Sequence, residues 1–293
     1  MSRRHDTISF LTDYGMADEF VGVVKAVICD IAPHATIIDL THEIPPFDVK
    51  AGSLALARCI SYVPEGIVLA VVDPGVGTDR RAIAVEVAQG AGVLIGPDNG
   101  LLAPAVAMAG GAERAFEITN PEYRLVAPGA TFDGRDVFGP AAAHLCNGVP
   151  LEQLGPEVDP ALLMPATIPL PRTEGDEVIA EVLWVDRFGN CQLNIGPDDL
   201  PADWPNVLSL RLPDPNQHGM TVIRSASRAE HFAGIGHGIG IVLDSSGMFA
   251  VSLDRRSAAA DLSLGTGDQV VLIPSSGDDS IGEPVTTPVT FGR

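Results

Sequence analysis

Apolar positions fall into two textures along the chain. Up to about residue 150, short apolar runs alternate with segments of helical period; beyond about residue 175, short runs and turns simply follow one another. In the first region Ile8 to Thr12 reads as a strand. Phe20, Val23, Val24, Val27 and Ile28 then recur at helical spacing, with Asp18 placed to cap that helix and Pro33 to stop it. A second strand, 35–41, leads through the turn-rich stretch 42–48 into a helix from Val49 to about Tyr62. Its apolar side carries Leu54, Leu56, Ala57 and Ile60. The run from Gly66 to Val72 has no polar position, which predicts a strand buried on both faces. Strand, helix, strand, helix, strand is the signature of a parallel sheet with crossovers. Two further strands (81–87 and 92–96) and helices over 101–109 and 140–146 complete this half.

Between residues 156 and 176 the texture breaks. Pro156, Pro160, Pro165, Pro169 and Pro171 predict an extended, stiff connector. Beyond it, short apolar segments at 178–185, 207–212, 238–243, 248–253 and 269–273 predict an all-β unit, a small barrel or sandwich. The expected organisation is an α/β domain over 1–155 with a mainly parallel central sheet, a Pro-rich linker over 156–176, and a smaller barrel-like β domain over 177–293.

Composition narrows the function classes. The 293 residues carry a formal net charge of −20, which argues against nucleic acid or an anionic membrane surface as a partner. An acidic chain suits a cationic small molecule, although acidity also serves solubility. The four cysteines are widely spaced, with no C-x-x-C pair, a pattern expected of free thiols in a reducing cytoplasm. No signal-like segment opens the chain, and no apolar run nears the roughly 18 residues needed to span a bilayer.

Candidate chemistry clusters in loops. The Gly66–Val72 strand ends in Asp73-Pro-Gly-Val-Gly-Thr-Asp-Arg80, which puts Asp73 at the carboxyl edge, where open α/β sheets hold ligands. Gly75 and Gly77 permit tight backbone geometry, and Arg80 is spaced to fold back onto Asp73; an ordinary turn with a surface ion pair fits the same residues. Asp13 and Asp39 stand near strand ends as well, so the three carboxylates can share one rim, where carboxylates commonly bind ribose hydroxyls. Asp136 fits either a helix cap or a catalytic role. In the second domain, the turn from Asp186 to Asn190 combines a carboxylate, an arginine, an aromatic ring and an amide. It suits a zwitterion, with Asp186 taking an ammonium, and equally suits a plain β-turn. No P-loop, EF-hand loop or H-E-x-x-H helix occurs, and His231 and His237 lack a third ligand.

Six stretches occur here in one order: Thr12-Asp-Tyr-Gly15 with Asp18, Pro46-Phe-Asp-Val49, Asp73 to Gly77 with Arg80, Gly96-Pro-Asp-Asn-Gly100, Thr131-Phe-Asp-Gly-Arg-Asp136, and Asp186-x-Phe-Gly-Asn190. The series resembles the S-adenosyl-L-methionine (SAM) hydroxide adenosyltransferases, the adenosine-forming SAM hydrolases, whose relatives include SAM-dependent fluorinases and chlorinases. The resemblance covers nearly the whole chain. It implies a homotrimer with SAM held between one subunit's first domain and its neighbour's second, and no cofactor. By the same resemblance Asp13 matches the residue that binds the ribose diol, and Phe47 the aromatic that packs on the sugar. Asp186, Phe188 and Asn190 match the motif that holds the methionine and adenine ends, and Ser246 falls in the last binding segment.

Two positions separate the branches. The halogenases resembled here carry a tyrosine where this chain has Asp73, and fluorinases add a loop that does not interrupt Val85 to Gly100. Asp73 and Arg80 match the hydrolase pair. The hydrolases place a histidine third, in Thr-Phe-His-Gly-Arg-Asp, where this chain has Asp133. The implied chemistry is attack of water or hydroxide on C5′ of SAM, with Asp73 and Arg80 activating water and Asp133 in the histidine's place. A SAM-binding sensor or reservoir without turnover is the alternative; a halogenase is the more distant one.

Overall fold

The computed structural model describes residues 5–214 and 219–275. The chain divides into two compact units, Met1–Ile168 and Pro169–Arg293.

The first unit runs β1 (Thr7–Thr12), α1 (Phe20–Ile31), β2 (Thr36–Thr41), α2 (Val49–Ile60), β3 (Gly66–Val71), β4 (Ala82–Val87), β5 (Gly92–Pro97), α3 (Ala103–Met108), β6 (Arg114–Glu117), α4 (Gly139–Cys146) and β7 (Glu157–Val158). Its sheet has the order β2-β1-β3-β5-β4-β6-β7. Strands β2, β1, β3 and β5 pair in parallel, whereas β4 is antiparallel to β5 and β6, and β7 closes the edge antiparallel to β6.

The chain leaves β1 in opposite directions, first to β2 and then back across to β3. Right-handed crossovers taken in opposite directions put their helices on opposite faces. Accordingly α1 and α4 cover the face presented by Phe10, Ile67 and Leu69, while α2 and α3 cover Leu11, Val68 and Ala70. Every residue of β3 is buried, as its unbroken apolar run requires. This order also creates a topological switch point between β1 and β3, where a crevice opens outside their carboxyl ends. Residues 12–15 and 73–80 leave the sheet at that crevice.

Three local expectations are corrected. Asp18 does not cap α1: Glu19 holds that place, without a side-chain capping bond. Asp39, expected near a strand end and on the shared rim, lies within β2 and off that rim. Asp136 starts no helix by capping; it is buried within the π-helical turn Gly134–Phe138 and bonded to Arg135.

The second unit comprises β8 (Arg172–Glu174), β9 (Glu177–Val185), β10 (Cys191–Leu193), β11 (Val207–Pro213), β12 (Thr221–Ala229), β13 (Ile239–Leu243), β14 (Phe249–Ser252), α5 (Ala258–Leu262) and β15 (Gln269–Pro274). Seven strands close a barrel in the order β10-β14-β13-β12-β11-β15-β9, with β9 returning to β10; β8 adds to the free part of the β9 edge. Val178, Ala180 and Val182 of β9 alternate inward to meet Leu208, Leu210, Val251 and Leu272 in the barrel core. Among the described residues, no helix is long and apolar enough to cross a membrane.

Candidate active site

On the first unit, a cavity of about 450 Å³ opens where β1 and β3 end, lined by Asp13, Tyr14, Phe47, Asp73, Phe132 and Asp133 among others. Two cavities of similar volume on this unit, about 420 and 410 Å³, are lined by none of the predicted residues.

The Asp73–Arg80 loop is tight. Thr78 donates both its N–H and its hydroxyl to the Gly75 carbonyl, at 3.2 and 2.6 Å. Gly77 has φ +78°, and a Cβ there would meet the Ala130 carbonyl oxygen at 2.8 Å, so the position demands glycine. The turn brings Arg80 back over the strand end. Its Nε donates to Asp73 Oδ1 at 3.1 Å and its Nη2 to Asp73 Oδ2 at 2.5 Å, a bidentate pair. The same Nη2 donates to Asp133 Oδ2 at 2.7 Å. The guanidinium also lies 5.3 Å from the centroid of the Phe138 ring. All three charged side chains are largely buried, at 9, 5 and 16% exposure for Arg80, Asp73 and Asp133.

One cation thus serves two carboxylates. Burial, with Asp133 nearby, pushes the Asp73 carboxyl above its ordinary range, although Arg80 and the Gly75 N–H oppose the shift. Tyr14, buried and surrounded by Asp13, Asp73 and Asp133, is pushed up as well, so its phenol stays protonated and presents a donor to the cavity.

Asp133 immediately precedes the π-helical turn, a rare geometry that is frequent at functional sites. A Cβ on Gly134 would stand 2.2 Å from the Tyr14 hydroxyl, so glycine there lets the phenol seat beside Asp133. Tyr14, Phe20 and Phe132 pack edge-on or tilted, at centroid distances of 5.1 to 6.0 Å. Opposite them, Asp13 Oδ2 accepts the Phe47 N–H at 2.9 Å. Phe47 has φ +68° and is 72% exposed. A bulky residue held in the left-handed region with its ring in solvent is strain that packing does not explain, a mark of functional loops.

The other four predicted residues meet on the second unit. Asp186, Phe188, Asn190 and Ser246 line one cavity of about 370 Å³. The β9–β10 turn is organised by Asp186, whose Oδ1 accepts the N–H groups of Phe188 and Asn190 at 2.9 and 2.8 Å. Its Oδ2 accepts the Asn190 Nδ2 at 2.7 Å. About four lone-pair directions serve a carboxylate, so one on Oδ2 remains for a ligand cation. Phe188 projects into solvent at 78% exposure. Ser246 sits in a turn shaped in the same way by Asp244, which accepts the N–H groups of Ser246 and Met248 on Oδ1 and the Gln192 amide on Oδ2.

Asp39 does not join the rim. Burial works against its charge, but bonds from Lys25 and His42 dominate and hold its carboxyl below the usual range, away from the cavity. Among the described residues, no three His, Cys, Asp or Glu side chains converge as a metal-binding set. Sequence reasoning overlooked Tyr14 and Phe132 as cavity walls and Gln192 and Asp244 as supports. The motif context marked Tyr14 and Phe132; nothing local marked the other pair.

Known proteins match both parts of the chain. Residues 8–155 match the SAM hydroxide adenosyltransferase N-terminal domain and residues 180–271 match the corresponding C-terminal domain. A protein of Salinispora tropica named (R)-S-adenosyl-L-methionine hydrolase is 43% identical over 265 residues, covering 90% of this chain and 96% of its own. A fluorinase of an Actinoplanes species is 30% identical over 217 residues, covering 66% of this chain and 72% of its own. The crystal structure of an uncharacterized conserved protein from Thermotoga maritima superposes with a TM-score of 0.81 at 36% identity, over 91% of this chain and 99% of that one. With both domains matched in order, and a crevice and a barrel loop each gathering its predicted residues, the chain belongs to the SAM hydroxide adenosyltransferase family.

Proposed function

We propose that this protein is a cytoplasmic enzyme that hydrolyses SAM to adenosine and L-methionine without a cofactor. The observation that carries the reading is Arg80 Nη2 bonded to both Asp73 and Asp133, two carboxylates that line one cavity together with Asp13 and Phe47.

Water attacks C5′ in line with the sulfonium: the C5′–O bond forms, the C5′–S bond breaks, and its electron pair neutralises sulfur. Asp73 accepts the proton that water loses. Free hydroxide is the less favourable nucleophile. Lowering water's pKa from about 15.7 to about 7 takes roughly 12 kcal/mol, whereas one arginine supplies only about 1.5–4 kcal/mol. Proton transfer concerted with attack avoids that cost, and a carboxyl raised by burial is the better base for it. Arg80 orients the pair. Asp133, where the family resemblance expects histidine, adds a second acceptor for the water.

Asp13 holds the ribose hydroxyls and Phe47 covers the sugar. Asp186 takes the substrate ammonium at its remaining lone pair, while Phe188, Asn190 and Ser246 bound the methionine and adenine ends. The enzyme acts as a homotrimer, each SAM held by residues of two subunits; light scattering on the purified protein tests that state.

Two carboxylates on one arginine leave the cluster net negative, which disfavours a halide nucleophile and therefore a halogenase. The same excess charge is the observation that favours the second reading, a SAM-binding protein without turnover. Incubation of the purified protein with SAM, followed by chromatography, separates them. Adenosine and methionine in equal amounts support the hydrolase, bound SAM without adenosine supports the binder, and 5′-halo-5′-deoxyadenosine in halide buffer supports the halogenase.

A further inference from the structure

Behind the Asp13 loop runs a chain of polar contacts that the proposed chemistry does not use. His42 follows β2 directly and is buried, at 4% exposure. Its Nδ1 lies 2.9 Å from Thr12 Oγ1 and its Nε2 lies 3.2 Å from Asp39 Oδ1. Asp39 Oδ2 accepts from Lys25 Nζ at 2.5 Å. On the loop side, Thr12 Oγ1 accepts the Tyr14 N–H at 3.2 Å, and the His42 carbonyl accepts the Gly15 N–H at 2.7 Å. Asp13 therefore stands in a short segment whose two ends, Thr12 and Gly15, are both tied to His42.

Strand register creates this contact. Strands β1 and β2 pair as far as Phe10 with Asp39, then skip Leu40, so that Leu11 faces Thr41. An unbroken register would set Thr41 beside Thr12; the skip brings His42 there. Such irregularities re-aim side chains beside sites.

The proton positions follow from the network. An ionised Asp39 only accepts, so His42 Nε2 donates to it. In neutral imidazole Nδ1 is then an acceptor and takes the Thr12 O–H, leaving Thr12 Oγ1 free to accept from Tyr14. Every polar group in the relay is satisfied, the condition under which a buried network specifies one geometry.

We infer that His42 is a positioning residue for substrate binding: through the Thr12 hydroxyl it fixes the 12–15 backbone, and with it the direction of the Asp13 carboxylate. Because Asp13 also holds the Phe47 N–H, the same relay steadies the exposed ring. The inference rests on the proposed contact of Asp13 with SAM. The competing role is plain packing, since the imidazole also meets the Phe10 ring edge-on at 4.8 Å.

Two conservative variants distinguish these roles. His42→Asn keeps an amide near the Nδ1 position and hence a partner for Thr12. His42→Gln reaches toward Asp39 and leaves Thr12 without its acceptor. In the full chain, His42→Gln and Thr12→Val raise the KM for SAM about three- to tenfold, the cost of one hydrogen bond. Their kcat, and both constants of His42→Asn, stay within about twofold of wild type. The double variant His42→Gln/Thr12→Val is no worse than either single one, as expected of residues acting through one contact. Equal KM values in the Asn and Gln variants, or a wild-type KM in Thr12→Val, overturn the inference. Should both His42 variants fail to fold, Thr12→Val decides alone. A wild-type protein that binds SAM but releases no adenosine is a separate failure, that of the hydrolase reading; the same comparison is then read in the calorimetric Kd. A wild-type protein that does not bind SAM overturns both.

Discussion

Replacing Asp73 by Asn removes the proposed proton acceptor while leaving a side chain of nearly the same shape. Turnover falls to background and SAM binding is retained, as product assay and calorimetry on one sample can measure. Stability moves the other way. The Asp73 carboxyl is raised above its unfolded-state value chiefly by burial, so its ionised form weakens the fold at pH above its folded-state pKa. Below the unfolded-state value it is protonated in both states and costs nothing. In the Asn variant Arg80 still pairs with Asp133. The variant therefore melts above wild type at pH 7, with a margin that shrinks as the pH falls through the carboxylate range. Stability held back at a working residue is a common trade. Catalysis carries the same signature: kcat rises with pH through the ionisation of Asp73, on a limb lying above that of an exposed aspartate. Because Asp133 contributes to the upward shift, Asp133→His removes a like charge and moves this limb to lower pH. An unmoved limb would take Asp73 out of its assigned role.

At the scale of elements, the β9–β10 turn shows how far a local motif reaches. Asp186, Phe188 and Asn190 were legible because Gly-Asn after an apolar strand is good turn chemistry. Gly189 has φ +84°, and a Cβ there would lie 2.0 Å from the Ser257 hydroxyl and 2.7 Å from its Cα. Ser257 in turn caps α5 by accepting the Ala260 N–H. Gly189→Ala therefore meets both a left-handed backbone and a rigid neighbour. It should destabilise the second unit by about 2–4 kcal/mol, seen as a lower urea midpoint. Strands β1, β3, β9 and β15 were legible as well, because each buries a continuous or alternating apolar row, and β2 was legible from its apolar residues although none of them is fully buried. β12 was not: of its nine residues only Ala226 is buried, so it carries no periodic signal and is a strand through its pairing with β11 and β13. β7, β8 and β10 have two or three residues each, too short for any pattern.

For the whole molecule, the net charge of −20 does two things. It serves solubility, and on the proposed reading it draws in a substrate that carries a sulfonium and an ammonium against one carboxylate. The kcat/KM for SAM should therefore fall as ionic strength rises from about 10 to 300 mM, where the screening length contracts from roughly 30 to under 10 Å. A neutral thioether analogue used as a competitive inhibitor should lose less affinity over the same range. A salt-independent kcat/KM would assign the acidity to solubility alone.

The sequence by itself determined the two-part architecture, the strand–loop positions of Asp13 and Asp73, and the turn chemistry around Asp186. Each of these follows from local periodicity and from glycines that backbone geometry requires. By the family resemblance it also marked Asp133 as standing in the place of a histidine. Only the tertiary structure decided which carboxylates meet. Asp39 has the same chemistry as Asp13 and lies on the neighbouring strand, yet it sits within β2, ahead of the skipped residue, and bonds to Lys25 and His42 instead of lining the cavity. Asp133, distant in sequence from Asp73, reaches the same arginine nitrogen because a π-helical turn and Gly134 seat it beside Tyr14. Register and close packing are sums over contacts far apart in the chain, and no local pattern encodes them.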